Sequence, residues 1–402
     1  MDSRRPSTRG AVAPFHVMEV IKAAELRQQE YGDAIWLCAG QPSTPAPVVA
    51  REAAARALRD AEVLGYTAAT GTLPLRQAIA AHHRTNGVEV DADDVVVTTG
   101  SSGGFSALFL AAFDAGDTVA MARPGYPAYR NTLQAMGCEV IELDCGPEVR
   151  HQPTVAMLDA LPTPPAGVIV ASPSNPTGTI IDADQLAAIS RWCAEHGCLL
   201  ISDEIYHGIS FGRRCESAWH PGQEHVVVIG STSKYFSMTG WRLGWMLVPQ
   251  HLRRTVELLS GNLSICPPAI SQYAAIAALS PAAADELDGH VARYAVNREV
   301  MLDRLPALGI TRVAPPDGAF YLWCDVSDLT DDSSRWCADA LAATGVAMTP
   351  GIDFDTARGD HWVRLCFAGA THEIHDAFDR LERWRRTTTP QGTLDPQRTT
   401  GS

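Results

Sequence analysis

Lysine is nearly absent from this chain: of 32 lysine and arginine residues only Lys22 and Lys234 are lysines. Lys234 lies inside the uncharged run Val226-Val-Val-Ile-Gly-Ser-Thr-Ser-Lys234, where a solubilising cation is out of place. An amine that forms Schiff bases is one chemical reason to keep a lysine there, and arginine cannot do that work. A lysine that merely caps a strand is the plainer alternative. Positive charge is also short overall, since 46 Asp and Glu leave a net charge of −14, which repels phosphate backbones and anionic membranes. Nucleic acid and membrane are therefore not expected partners. Long apolar runs are missing too. The charge-free residues 263–284 hold Pro267, Pro268 and Pro281, which a spanning helix tolerates poorly. Arg4 and Arg5 are followed by no sustained apolar run before Glu19, so no secretory or twin-arginine signal is expected and the reading is cytoplasmic. No Cys-x-x-Cys occurs among the ten cysteines, which read as buried reduced thiols. Neither Cys193 with Cys198 nor His372 with His375 recruits two further ligands nearby, so no metal is expected.

What is present is material for a large core: 402 residues, 46% of them apolar, enough for two or three domains. From Asp93 onward short β-branched runs alternate with helical patterns, the mark of βαβ units and a mostly parallel sheet covered by helices. The runs are 95–98, 118–121, 167–170, 198–201 and 226–229, with a helix over 184–196. Residues 241–248 read as one more strand of open direction. After Pro281 an amphipathic pattern over 285–305 predicts a long linking helix. Beyond it, strands at 318–323 and 361–367 and helices at 336–343 and 373–384 predict a smaller α+β domain. The expected division is an N-terminal segment, 1–45, packing with the small domain; a large cofactor-binding domain, 46–284; a small domain with its linking helix, 285–386; and a disordered tail, 387–402.

Small and polar residues cluster just after the strands, where open α/β sheets bind ligands. A pyridoxal phosphate site needs a lysine, a carboxylate for the pyridinium nitrogen, donors to the ring oxygen, a phosphate cup and a grip on the substrate carboxylate. Asp203 ends the apolar strand 198–201 and can hold a ring proton, although a turn or capping aspartate is common at such ends. Asn175 and Tyr206 follow neighbouring strand ends and can donate to the ring oxygen. The turn Gly100-Ser101-Ser102-Gly103 opens a helix, so its N–H groups offer an anion site, with Ser231, Ser233 and Arg242 to complete it.

The strings Ser172-Pro-Ser-Asn-Pro-Thr-Gly178, Ser202-Asp-Glu-Ile-Tyr206 and Ser231-Thr-Ser-Lys-Tyr-Phe-Ser-Met-Thr-Gly-Trp-Arg-Leu-Gly244 resemble the class I/II aminotransferases of PLP fold type I, the aspartate aminotransferase-like group. The likeness runs from about Leu37 to about Leu381. It implies that Tyr126 stacks on the cofactor ring, that Tyr66 reaches the phosphate of a partner subunit in a homodimer, that Arg364 grips the substrate carboxylate and that backbone at Gly40 passes close to the substrate. Gln41 departs from the glutamate often found after that glycine. The expected reaction is a ping-pong transamination between an L-amino acid and a 2-oxo acid through a Lys234 Schiff base. A carbon–sulfur β-lyase or a synthase or cyclase of the same fold is the alternative. A penicillin-binding reading of Ser231-Thr-Ser-Lys234 fails for want of a further lysine to form Lys-Thr-Gly. A DNA-binding regulator fails because only about forty residues precede Gly40 and the charge is acidic.

Overall fold

The computed structural model describes residues 7–60 and 63–388. In chain order, helix α1 (His16–Tyr31) and the short strand β1 (Ile35–Trp36) precede α2 (Val48–Arg59) and α3 (Leu73–Thr85). Strand β2 (Val95–Thr98) then leads into α4 (Gly100–Ala112), β3 (Thr118–Arg123) into α5 (Pro127–Met136), and β4 (Glu139–Asp144) into the short α6 (Val155–Asp159). β5 (Gly167–Ala171) is followed by α7 (Ala183–His196), and β6 (Leu199–Asp203), β7 (Val226–Ser231) and β8 (Gly244–Leu247) complete the sheet. Helices α8 (Gln250–Ser264), α9 (Ala269–Ala278) and the long α10 (Ala284–Arg304) come next. The remaining chain supplies β9 (Arg312–Val313), β10 (Tyr321–Asp325), α11 (Ser333–Thr344), β11 (Val346–Ala347), β12 (Thr349–Pro350), β13 (Trp362–Cys366) and α12 (Thr371–Thr388).

The main sheet has the order β2-β8-β7-β6-β5-β3-β4. Every pairing is parallel except those of β8, which runs against both β2 and β7. Both faces of this sheet are dry at its centre, which is why its inner strands β5, β6 and β7 are mainly apolar rather than alternating. Val168, Val170, Leu200, Val226 and Val228 enter the core on one face. Ile169, Ile201, Val227 and Ile229 enter the core on the other. Burying each such side chain contributes about 1.5–3 kcal/mol, so the strand ends are held by a stiff platform. Helix boundaries follow local chemistry. Pro127 opens α5 and Gly137, at φ 93°, closes it; α7 stops at Gly197 in the left-handed region.

A second sheet, β12-β13-β10-β9, is antiparallel, and β1 pairs in parallel with β11. Thus the start of the chain joins its last third. α10 spans the two halves: Leu287 packs in the core of the main sheet, while Tyr294 and Met301 pack in that of the second.

Several expectations need correction. The strand expected over 241–248 begins only at Gly244, because Thr239–Trp241 forms a 3-10 turn and Arg242 sits at φ 52°. The strand expected at 318–323 begins at Tyr321, after Ala319 turns at φ 56°. β4 went unnoticed because its pattern, Glu139-Val-Ile-Glu-Leu-Asp144, carries charges suited to a sheet edge. The expected tail starts too early, since α12 continues through Thr388; residues 389–402 lie outside the described residues. All ten cysteines are free, and all but Cys215 and Cys266 are buried. Among the described residues no helix is long and apolar enough to cross a membrane.

Candidate active site

The parallel strands deliver their carboxyl ends to one edge. Register places Ala171 beside Asp203, Asp203 beside Ile229, and both Ser231 and Thr98 beside Gly244. Above that row lies a cavity of about 920 Å³ between the main sheet, the second sheet and α1. Gly40, Ser101, Ser102, Tyr126, Asn175, Asp203, Tyr206, Ser233, Lys234, Arg242 and Arg364 all line it. Ser231 stands just beneath, its hydroxyl 2.9 Å from that of Ser233. Tyr66 is the exception: its side chain is 83% exposed and is not among the residues lining its own chain's cavity.

Lys234 Nζ donates to the Gly40 carbonyl at 2.8 Å. Burial, then the charge of Arg364, pulls its pKa down to about 8, far closer to neutrality than an ordinary lysine. Asp203 is 3% exposed. Burial raises its carboxyl to about 6, against the pull of the Tyr129 hydroxyl and the Ile205 N–H that donate to it. Among the described residues no cation lies within ion-pair distance of it. A buried carboxylate with donors but no counter-ion is a place made to receive positive charge.

Arg364 presents the opposite sign. It is 3% exposed, donates to Asn175 Oδ1 and to the Cys38 carbonyl, each at 2.8 Å, and lies over the rings of Tyr321 and Phe354. Its Nε has no hydrogen-bond partner, and among the described residues no carboxylate pairs with it. The Tyr206 hydroxyl meets that of Tyr321 at 2.7 Å.

Close backbone approach builds the anion end. A Cβ on Gly244 would fall 2.7 Å from the Ser101 nitrogen and 2.8 Å from the Gly100 carbonyl carbon. One on Gly100, at φ +69°, would fall 2.4 Å from Arg242 Nη2. Hence the first turn of α4, with its free N–H groups, and the Arg242 guanidinium are brought together by two positions where only glycine fits.

Sequence reasoning missed Tyr129, Tyr321 and the whole contribution of α1. Tyr129 was findable, since it stands three residues after Tyr126 in the first turn of the helix that Tyr126 precedes, and the two rings meet edge-on at 5.3 Å. Phe15, Val17, Ile21 and Trp36 also line the cavity, and no local motif announces them.

The sequence profile of the family described as aminotransferase class I and II matches residues 32–381. Over 383 residues the chain is 54% identical to a valine–pyruvate aminotransferase of Mycobacterium tuberculosis, covering 94% of this chain and 98% of that protein. It is 34% identical to an aspartate/prephenate aminotransferase of Thermus thermophilus, over 90% and 93% of the two chains. The crystal structure of an aminotransferase from Mycobacterium tuberculosis superposes with a TM-score of 0.93 at 53% identity, covering 96% of this chain and all of that one. An aspartate aminotransferase from Thermus thermophilus with maleate gives 0.88 at 32%, over 94% and 99%. The chain therefore belongs to the class I and II aminotransferases, of PLP fold type I. It moves an amino group between an amino acid and a 2-oxo acid, in a family that depends on pyridoxal phosphate.

Proposed function

We propose that this protein exchanges the amino group of a neutral, apolar L-amino acid with a short monocarboxylic 2-oxo acid of the pyruvate kind. The observation that carries the reading is the charge inventory of the cavity: its basic side chains are Lys234, Arg242 and Arg364, and Glu25 and Glu373 stand on its wall. With Lys234 and Arg242 committed to the cofactor, the described residues offer one guanidinium for one substrate carboxylate, and among them a dicarboxylate's second charge meets no cation. The name of the valine–pyruvate relative points the same way.

Pyridoxal phosphate fits the residues present. Lys234 would hold it covalently, Asp203 would face its ring nitrogen, Tyr126 its ring, Asn175 and Tyr206 its ring oxygen, and Ser101, Ser102, Ser231, Ser233 and Arg242 its phosphate. When bound, the cofactor supplies an electron sink that acidifies the substrate α-proton. Asp203, as an anion, keeps positive charge at the ring nitrogen. Arg364 seats the substrate carboxylate through its planar fork, beside the Gly40 backbone. The Lys234 amine, its pKa pulled down to about 8, would take the substrate α-proton at Nζ and hold it for return to the carbon on the far side of the nitrogen. Residues 46–284 would form the cofactor-holding domain and residues 285–386, with the N-terminal segment, the domain that completes the substrate side. Exposed Tyr66 and its neighbour Val63 (90% exposed) are accounted for if a second subunit covers them, Tyr66 reaching that partner's phosphate site.

Bleaching of the holoenzyme's visible band by single amino acids, and its return with single 2-oxo acids, tests the reading. Valine and alanine should exceed aspartate and glutamate in kcat/KM by at least about 100-fold, the worth of an unpaired charge in such a site. Equal or faster reaction of aspartate would overturn it.

A further inference from the structure

Helix α1 forms part of the cavity wall, yet it does not cap itself. Its N-cap residue, Phe15, offers no side-chain acceptor. The two free N–H groups of His16 and Val17 instead donate to Asp353, at 2.8 Å to Oδ1 and 2.7 Å to Oδ2. A carboxylate bridging two amides at a helix start satisfies orphan donors and opposes the positive end of the dipole at once. Asp353 itself is 2% exposed. Burial raises its pKa, and the same two N–H groups oppose that rise.

The turn that carries Asp353 is tied down on the other side. Arg130 donates to the Asp353 carbonyl at 3.2 Å and pairs with Glu142 at 2.9 Å. The Gly125 N–H donates to the Phe354 carbonyl at 2.9 Å. Thr356 donates to Glu142 at 2.6 Å, and Arg123 pairs with Asp144 at 3.1 Å, which also pairs with Arg358. So one turn, 351–358, is anchored on β3, α5 and β4, next to Tyr126, and grips α1 through a single carboxylate. The chain of positions ends in the cavity, where Phe15, Val17 and Ile21 present apolar surface and the Phe15 ring meets Tyr126 edge-on at 6.0 Å.

We propose that Asp353 is a positioning residue for substrate selection: by capping α1 from across the molecule it sets the apolar wall of Phe15, Val17 and Ile21 against the donor's side chain. A bulky apolar donor depends on that wall, whereas alanine, too short to fill it, does not. The inference rests on the reading of an apolar donor, and the two fail differently. If the wild-type enzyme shows no preference for valine over aspartate, the functional reading falls. If it shows that preference and Asp353 variants keep valine's advantage, only the role of Asp353 falls.

The lysine scarcity supplies a direct readout. A lysine-specific endoprotease has two sites in the chain, Lys22 and Lys234; Lys22 is exposed on α1, and Lys234 lies in the cavity and would carry the cofactor. Cleavage of the holoenzyme at Lys22 therefore reports opening of α1. In Asp353→Asn, loss of the charged cap should speed that cleavage about fivefold, the usual worth of a cap. The same variant should raise KM for valine at least about threefold, with kcat and the alanine reaction changed less. Ile21→Ala should lower the valine-over-alanine ratio without faster cleavage, and the double variant should lose less than the two singles combined, because both act through one wall. Should Asp353→Asn give no folded protein, Asp353→Glu keeps the charge and displaces it by one methylene. Unchanged cleavage, an unchanged valine-over-alanine ratio, or full additivity in the double variant would overturn the proposal.

Discussion

The two sides of the cavity are built differently. The cofactor side is a row of strand ends: Thr98, Ala171, Asp203 and Ser231 each stop a strand of one sheet, Ser101, Ser102, Asn175, Tyr206, Ser233 and Lys234 follow them closely, Tyr126 follows the end of β3, and Arg242 stands just before β8. The substrate side is an assembly of distant segments. Phe15, Gly40, Tyr321, Asp353 and Arg364 come from the two extremes of the chain and meet through β1 with β11, the capped helix α1 and the antiparallel β10–β13 pair. A strand end in a doubly covered sheet cannot shift without disturbing both cores, whereas a wall held by the Asp353 carboxylate, a two-residue bridge and the small apolar cluster around Ala24 can be retuned. The first arrangement suits the chemistry every substrate shares, and the second suits the part that selects among substrates.

The largest expected effect lies on the cofactor side. Lys234→Ala should lower turnover at least about 10⁴-fold, because it removes both the covalent anchor and the proton carrier, while the protein still binds the cofactor through Asp203 and the anion end. Mixing these chains with Tyr66→Ala chains sharpens the comparison. If Tyr66 serves the partner's site, each hybrid dimer holds one intact site, and activity should return to roughly a quarter of the sites on random pairing. No recovery on mixing would show that the site is not shared in this way. Retained turnover in Lys234→Ala alone would remove the lysine from the chemistry.

A smaller effect is expected on the substrate side, from a change that keeps the charge. Arg364→Lys preserves a cation but loses the fork that reaches Asn175 and the Cys38 carbonyl together and lies between Tyr321 and Phe354. KM for the amino acid and the 2-oxo acid should rise about 10–100-fold, the cost of losing bidentate geometry, with the cofactor's absorption unchanged. Equal KM values would mean that a point charge suffices and that the substrate carboxylate is not recognised by the planar fork.

The same contrast explains what the sequence revealed. Lys234, Asp203 and Asn175 are legible because each stands at or just after the end of an apolar run, and a strand end places its followers without help from elsewhere. The mostly parallel sheet was legible for the same reason. Asp353 was not, since its partners are the amides of His16 and Val17, more than 300 positions away, and a backbone N–H has no sequence signature. Tyr321 was read only as part of a strand; its meeting with Tyr206 depends on how the second sheet sits on the first. The edge strand β4 and the left-handed Arg242 were hidden by tertiary pairing that overrides local preference.

The smallest effect concerns stability rather than turnover, and it asks whether the cofactor side is strained when empty. Lys234 titrates at about 8 in the folded protein, against an ordinary 10.5. Below pH 8 the amine is charged in both folded and unfolded chains, but the fold disfavours that charge, so the full cost is present there. Between pH 8 and 10.5 the folded amine is already neutral while the unfolded one still loses its proton, and the cost fades. In the apoprotein Lys234→Met should therefore be more stable than wild type at pH 7, by roughly 1–3 kcal/mol. That advantage should shrink steadily toward pH 10.5 in urea or thermal unfolding. Asp203, raised to about 6, adds a cost of the opposite pH dependence, absent below its ordinary carboxyl range near 4 and complete above 6, so Asp203→Asn should gain stability as the pH climbs through that window. A Lys234→Met difference that stays constant from pH 7 to 10.5 would mean that the buried amine is not disfavoured, and the strand-end side of the cavity would then be no more strained than the wall opposite.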